Sequence, residues 1–204
     1  MFNDDYGLTQ AVLNGRKTMT RRIIKCPETY KGRPVKGLRT TGSKDIRLAV
    51  EMLVYNEECD DFVPMYIQPR YEIGEVIAVA QSYKDAGYDT HDTFGECRSI
   101  GSYPGWKNKR FVKAEYMPRH ISITNIKIER LQDISDEDCL KEGIYEDSGD
   151  DEFPPSIFYE FEGNKDNGFD TPREAFAALI DKISGRGTWN NNLYTFAYEF
   201  ELID

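Results

Sequence analysis

The chain has 204 residues, which is enough for one domain, residues 1–204, with a sizeable hydrophobic core. A hydrophobic content of 39% and an aromatic content of 13% argue against a disordered protein. No apolar run approaches the roughly 20 residues that span a bilayer, and the acidic, polar start is unlike a signal peptide, so we predict a cytoplasmic protein with no membrane partner.

The formal net charge is −10, but the charges are unevenly distributed along the chain. Residues 14–47 carry eleven lysines and arginines against two acids, whereas residues 131–180 carry fifteen acids against three bases. A basic segment of this kind suits a phosphate-bearing partner such as RNA. A solvated loop whose charges only keep the protein soluble explains the same composition.

The cysteines give no sign of a metal centre. Cys26, Cys59, Cys97 and Cys139 are scattered and form no Cys-x-x-Cys pair, and the chain has only two histidines. A zinc site needs ligands that are closer together. We therefore predict no metal site, no cofactor, and reduced thiols that are mostly buried.

The N-terminal quarter begins with a short helix. Leu8, Ala11 and Val12 share one helical face, and Gly15 follows where a helix ends in a left-handed residue. The basic segment Asn14-Gly15-Arg16-Lys17-Thr18-Met19-Thr20-Arg21-Arg22 comes next and is expected to be extended, with Lys17 and Met19 on one face. Residues 23–48 are interrupted by glycines and a proline, which predicts a long loop or loose hairpin.

Several strands are predicted in the middle of the chain. Residues 49–55 form one candidate, and Tyr71–Glu75 reads as a turn that leads into a buried strand over residues 76–80. Residues 84–109 are polar and predict a loop, and Phe111–Tyr116 predicts a further strand. Ile121-Ser-Ile123 and Ile126-Lys-Ile128 alternate in phases that differ by one residue, which predicts a bulge near residues 124–125.

Two helix starts are visible in the last third. Ser135 with Asp138, and Thr171 with Pro172 and Glu174, form the N-terminal capping patterns of helices. The first helix is expected to end at Gly143, and residues 145–170 are expected to be an exposed acidic insertion. The second helix carries an apolar stripe formed by Phe176, Leu179, Ile180 and Ile183.

The final strand gives the clearest strand signal, because apolar residues alternate strictly from Tyr194 to Leu202. The chain thus has several antiparallel-looking strands, few helices and no alternation of strands with helices. We predict an α+β fold, mainly β: a small β-barrel or curled sheet with a few helices packed outside.

These segments resemble a known family. The Gly15-to-Arg22 segment is similar to the Gly-x-Lys-Thr-x-(Thr/Glu)-x-Arg signature of ASCH domains, which are relatives of the PUA fold. Tyr71–Val76 resembles the start of a barrel strand in that family, and Met117-Pro-Arg119, residues 128–138, Gly187–Asn190 and Tyr198–Phe200 resemble a longer phage and prophage branch. The resemblance covers about half of the chain. It implies a PUA-like barrel with loop insertions near residues 25–70, 84–108 and 145–170.

One branch of the family is similar to amidohydrolases that remove acyl groups from N4-acylcytidine. The resemblance implies that Lys17, Thr20 and Glu142 form the catalytic set. A threonine hydroxyl needs a base, and a lysine can be that base only when burial or nearby cations lower its pKa. Each of the three residues also has an ordinary explanation: a surface cation, a strand-forming threonine, and a carboxylate in a structural ion pair.

The alternative is a non-catalytic RNA- or nucleotide-binding module, since PUA-like folds often bind RNA. In that case the basic segment 14–47 contacts phosphates, and Tyr103, Trp106 or Trp189 stacks on a base unless these rings are core. The predicted substrate- or RNA-binding residues are Arg16, Arg21, Arg22, Trp106 and Arg119. Acidic residues 133–138 and 146–152 fit a solvated face better than a surface for a basic protein.

Overall fold

A computed structural model describes residues 2–40, 49–93, 99–148, 157–164 and 168–204. In this part of the chain the helices and strands are, in order, α1 (Leu8–Leu13), β1 (Met19–Ile23), β2 (Thr29–Tyr30), β3 (Arg33–Thr40), β4 (Val50–Asn56), β5 (Asp61–Ile67), β6 (Val76–Ala78), β7 (His120–Arg130), α2 (Asp136–Lys141), β8 (Tyr145–Ser148), β9 (Ile157–Glu160), α3 (Pro172–Ser184), α4 (Thr188–Asn191) and β10 (Tyr194–Leu202).

The fold is α+β and mainly β, as predicted, and is built around a curled half-barrel sheet. Its strands are antiparallel and lie in the order β1-β10-β7-β6. β10 is central because its alternating aromatic side chains reach a buried core, where Phe196, Tyr198 and Phe200 pack with isoleucines of β7. β6 is an edge strand, and Val76 is 55% exposed, so the prediction of a buried strand over residues 76–80 is wrong at its first residue, although Val79 is buried.

The predicted bulge in β7 is confirmed. Glu199 of β10 pairs with Asn125, but the next residue, Phe200, pairs with Ile123, so Thr124 is an extra residue in β7. Because one residue is inserted, Ile123 and Ile126 can both enter the same core although they are an odd number of positions apart.

A second sheet occupies much of the region predicted as a loop. Strands β2-β3-β4-β5 follow one another as antiparallel neighbours, and residues 41–48 lie outside the described part of the chain. The prediction of a long loop over residues 23–48 is therefore wrong for β3, although β2 and β3 do form a hairpin. Val50 and Ile67 of this sheet pack against the core of the half-barrel, which joins the two sheets.

α2 and α3 begin and end where the sequence predicts, whereas α4 was not predicted. The side chains of Ser135 and Thr171 cap α2 and α3 by accepting hydrogen bonds from the amides of Asp138 and Glu174. Gly143 ends the α2 segment with a φ of +105°, a left-handed conformation that favours glycine. α2 and α3 pack together on a separate core that includes Leu131, Ile134 and Phe176.

Residues 111–116 do not form the predicted strand. They lie in two short 3₁₀ helices, Lys109–Phe111 and Ala114–Tyr116, whose amides bond to carbonyls three residues earlier.

The acidic region 145–170 contains the hairpin of β8 and β9, while residues 149–156 and 165–167 lie outside the described chain. Within the described residues, no helix combines the length and apolar character needed to cross a bilayer.

Candidate functional site

A cleft of about 770 Å³ lies beside β1. Its walls come from the N-terminal residues 2–5, β1, residues 107–110 and the face of α3 that carries Leu179 and Ile183. This volume is within the range of small-molecule sites, which span ~300–1,000 Å³. Lys17, Thr20 and Glu142, which the sequence analysis grouped as a catalytic set, all border this one cleft.

Lys17 and Glu142 form a buried pair. Lys17 is 2% exposed, and its Nζ atom donates to both the backbone oxygen and Oε2 of Glu142, at 2.6 Å each. Gly15 ends α1 in a left-handed conformation, and the chain then carries Lys17 beneath the end of α2. Burial lowers the pKa of Lys17 from 10.5; Glu142 opposes this change, and Arg22 and Arg21 add to it.

Arg21 lies in a cluster of acids next to this pair. Its guanidinium has no exposed area and contacts Glu142 at 3.1 Å, Asp138 at 3.1 Å and Glu129 at 2.5 Å. The three acids come from the end of α2, from its first turn and from β7. Arg21 thus fastens β1 to two other elements, and its side chain is not available to a ligand in this arrangement.

Thr20 faces the other side of β1. It pairs with Tyr198 of β10, so its side chain lies on the same face of the sheet as that of Tyr198, opposite Arg21. Among the described residues, its hydroxyl has no hydrogen-bonding partner. The hydroxyl is therefore free to contact a molecule in the cleft.

Cations surround the opening of the cleft. Arg22 and Lys25 come from the end of β1, whereas Lys107, Lys109 and Arg110 come from the loop before the 3₁₀ helices and from the first of them. Lys109 is held in place by the backbone oxygen of Phe2, by Asp4 and by Thr9. Asp4 and Asp5 also line the cleft, and Asp4 pairs with Lys109, so the excess positive charge comes from the other four cations; together with the apolar wall on α3, this arrangement suits a ring carrying a phosphate.

The other predicted binding residues lie elsewhere. Arg16 stacks over Tyr145 at 4.8 Å and lies 4.0 Å from Glu162, and Trp106 packs in a small aromatic core around Tyr83. Arg119 is exposed next to β7, and none of these three side chains lines the cleft. Trp189 is partly buried and packs edge-on against Phe176 at the border of the α2–α3 core, outside the cleft.

The sequence analysis missed several residues of the site. Glu129 and Asp138 partner Arg21, and Lys107, Lys109 and Arg110 line the cleft. Lys17, Met19 and Arg21 are spaced two residues apart and therefore share one face of an extended segment. The apolar side chain of Met19 indicates that this face is internal, so the burial of Arg21 could have been predicted. No local signal places residues 107–110 beside β1, because that contact depends on the tertiary fold.

The cysteines differ in their surroundings. Cys139 is buried and its pKa is raised to about 12 by burial, whereas Cys26 and Cys59 are exposed. The prediction of mostly buried thiols is thus wrong for two of the three described cysteines. Among the described residues, no three His, Cys, Asp or Glu side chains are grouped as metal ligands would be.

Comparisons with protein-family models, curated proteins and solved structures found no match to this chain.

Proposed function

We propose that this chain is an ASCH-type protein of the PUA-like superfamily that hydrolyses the amide of an N4-acylcytidine-type nucleoside in the cleft beside β1. The observation that carries the proposal is the buried contact between Lys17 and Glu142 at the edge of that cleft. A lysine with a lowered pKa in a cleft is a candidate base, and Thr20 offers an unpartnered hydroxyl in the same cleft.

Glu142 gives Lys17 the geometry of a base. A neutral amine has two N–H donors and one lone pair, and the two acceptors of Glu142 occupy both donors. The lone pair of Lys17 then remains for a proton from Thr20 or from a water. Arg21 holds the other oxygen of Glu142, which keeps the carboxylate in place.

The reaction has two steps. In the first, a water in the cleft relays the proton of the Thr20 hydroxyl to Lys17, the Thr20 oxygen bonds to the acyl carbon, and the bond from that carbon to N4 breaks as the proton passes from Lys17 through water to N4. In the second, water attacks the acyl-threonine ester, which releases the carboxylic acid and restores the hydroxyl. When the acylated cytidine is part of a nucleotide, the cations at the opening hold its phosphate.

Release of acetate from N4-acetylcytidine tests the proposal. Thr20→Val removes only the hydroxyl and should lower kcat/KM at least about 100-fold. Thr18→Val is the matched control, since Thr18 lies two residues away, immediately before β1, and does not line the cleft. Equal activity of the two variants, or no acetate released at high enzyme concentration, would contradict the amidohydrolase.

A non-catalytic RNA- or nucleotide-binding module is the second candidate, and the five cations at the cleft favour it. Here Thr20→Val has little effect, whereas Lys25→Gln and Lys107→Gln each weaken binding of a single-stranded RNA. Each substitution should also reduce the slope of log K against log salt by about 0.7. Binding that does not respond to either lysine would contradict this candidate.

A further inference from the structure

A second cavity of about 430 Å³ adjoins the cleft. Its floor is formed by Phe196 and Tyr198 of β10, and its far side by Ile67, Arg70 and Tyr71, which follow or end β5. Arg22, Ile23 and Lys25 line both cavities, so the end of β1 is a shared ridge between them.

The charged groups of this cavity are three cations, Arg22, Lys25 and Arg70. Among the described residues, neither Arg22, Lys25 nor Arg70 forms a salt bridge, although the chain contains 36 acids. By contrast, the nearby Arg21 is paired with three carboxylates and Arg39 is paired with Glu51. Three exposed cations around an aromatic cavity provide the charge that a phosphate-bearing ligand would neutralise.

The far wall is held in position by β10. The hydroxyl of Tyr198 accepts a hydrogen bond of 2.9 Å from the amide of Arg70, and the ring of Tyr71 lies edge-on to Tyr198 at 5.4 Å. The guanidinium of Arg70 lies 5.4 Å from the centre of the Tyr71 ring. The cation and the aromatic ring are therefore placed before any ligand binds, which reduces the entropy lost on binding.

From these contacts we infer that the second cavity is a subsite for the neighbouring nucleotide of a single-stranded RNA. The phosphate between the two nucleotides lies on the ridge of Arg22 and Lys25, one base enters the cleft, and the next base lies against Tyr71. Two separate concave sites accept unstacked bases, whereas a stacked duplex could not enter both. This inference rests on the proposed function and makes the substrate an oligonucleotide instead of a free nucleoside.

The test compares two ligands on the same variants. The probes are a labelled five-nucleotide oligocytidine RNA, whose dissociation constant is measured by fluorescence anisotropy, and free N4-acetylcytidine, whose turnover is measured by acetate release. We expect Arg70→Gln to weaken RNA binding several-fold and to lower the salt slope by about 0.7. Tyr71→Leu should weaken RNA binding about tenfold, and turnover of the nucleoside should be unchanged in both variants.

Arg186→Gln is the matched control, because Arg186 is exposed and lines neither cavity. Equal effects of Arg70→Gln and Arg186→Gln on RNA binding, or no RNA binding by the unmodified protein, would overturn the subsite. A parallel fall in nucleoside turnover would overturn it as well. Turnover by the unmodified protein tests the proposed hydrolase separately, so failure of the subsite and failure of the hydrolase give different results.

Discussion

Replacing Arg21 with methionine tests whether the acids around it depend on this cation for stability. The substitution keeps an unbranched side chain of similar length but removes the guanidinium. Glu129 then loses the partner that Arg21 provides at 2.5 Å, Asp138 keeps Lys127 at 3.4 Å, and Glu142 keeps Lys17 at 2.6 Å. The loss is therefore concentrated on Glu129 and on the connection between β1 and α2.

Removing one partner of a buried ion pair typically costs 3–5 kcal/mol. Because two of the three acids keep a lysine, we expect the lower end, a decrease of about 3 kcal/mol in the free energy of unfolding. With a slope of ~2 kcal/mol per molar urea, this lowers the unfolding midpoint by roughly 1.5 M.

Urea unfolding at pH 7, followed by far-UV circular dichroism, measures this change. Arg22→Met is the matched control, because Arg22 is the adjacent residue, is exposed, and forms no salt bridge among the described residues. It should change the free energy of unfolding by less than about 0.5 kcal/mol. A decrease below ~1 kcal/mol for Arg21→Met would refute the reasoning, because the acids would then be stable without the guanidinium.

Two further predictions concern titration and accessibility. Burial lowers the pKa of Lys17 below 10.5, so between the folded-state pKa and 10.5 the unfolded chain binds more protons at this lysine. The free energy of unfolding should therefore rise with pH in that window, compared with that of Lys17→Met. Urea unfolding of both proteins at several pH values measures this change. A difference between the two free energies that stays constant with pH would argue against the prediction. Cys139 is buried with a pKa of about 12, so iodoacetamide at pH 8 should modify Cys26 and Cys59 and spare Cys139 until the protein unfolds. Peptide mass spectrometry measures the three sites, and rapid labelling of native Cys139 would contradict its burial.

The sequence predicted the elements whose signals are local. The caps at Ser135 and Thr171 and the alternation of β10 depend on neighbours within a few residues, and the structure confirms them. Residues 111–116 were misassigned because β-forming residues need an adjacent strand to pair with. There the amides bond within the segment instead, and the amide of Lys113 donates to the hydroxyl of Tyr83.

The candidate site could be predicted only in part. Lys17 and Glu142 are 125 positions apart, and only the motif resemblance brought them together before the structure placed them in contact. Composition could not separate the buried Arg21 from the exposed Arg22, since both are cations in one basic segment. The strand decides the difference: adjacent residues face opposite sides, so one meets acids and the other meets solvent.

The bulge in β7 also changes how alterations in that strand should be interpreted. The extra residue Thr124 shifts the alternation of the strand by one position. Before it the inward-facing residues have odd numbers, such as Ile121 and Ile123, and after it they have even numbers, such as Ile126. Deleting Thr124 would therefore remove this shift. It would place Ile121, Ile123, Ile126 and Ile128 on one parity, so both halves of β7 would still face the core and the strand would lose only its bulge and the local kink that goes with it.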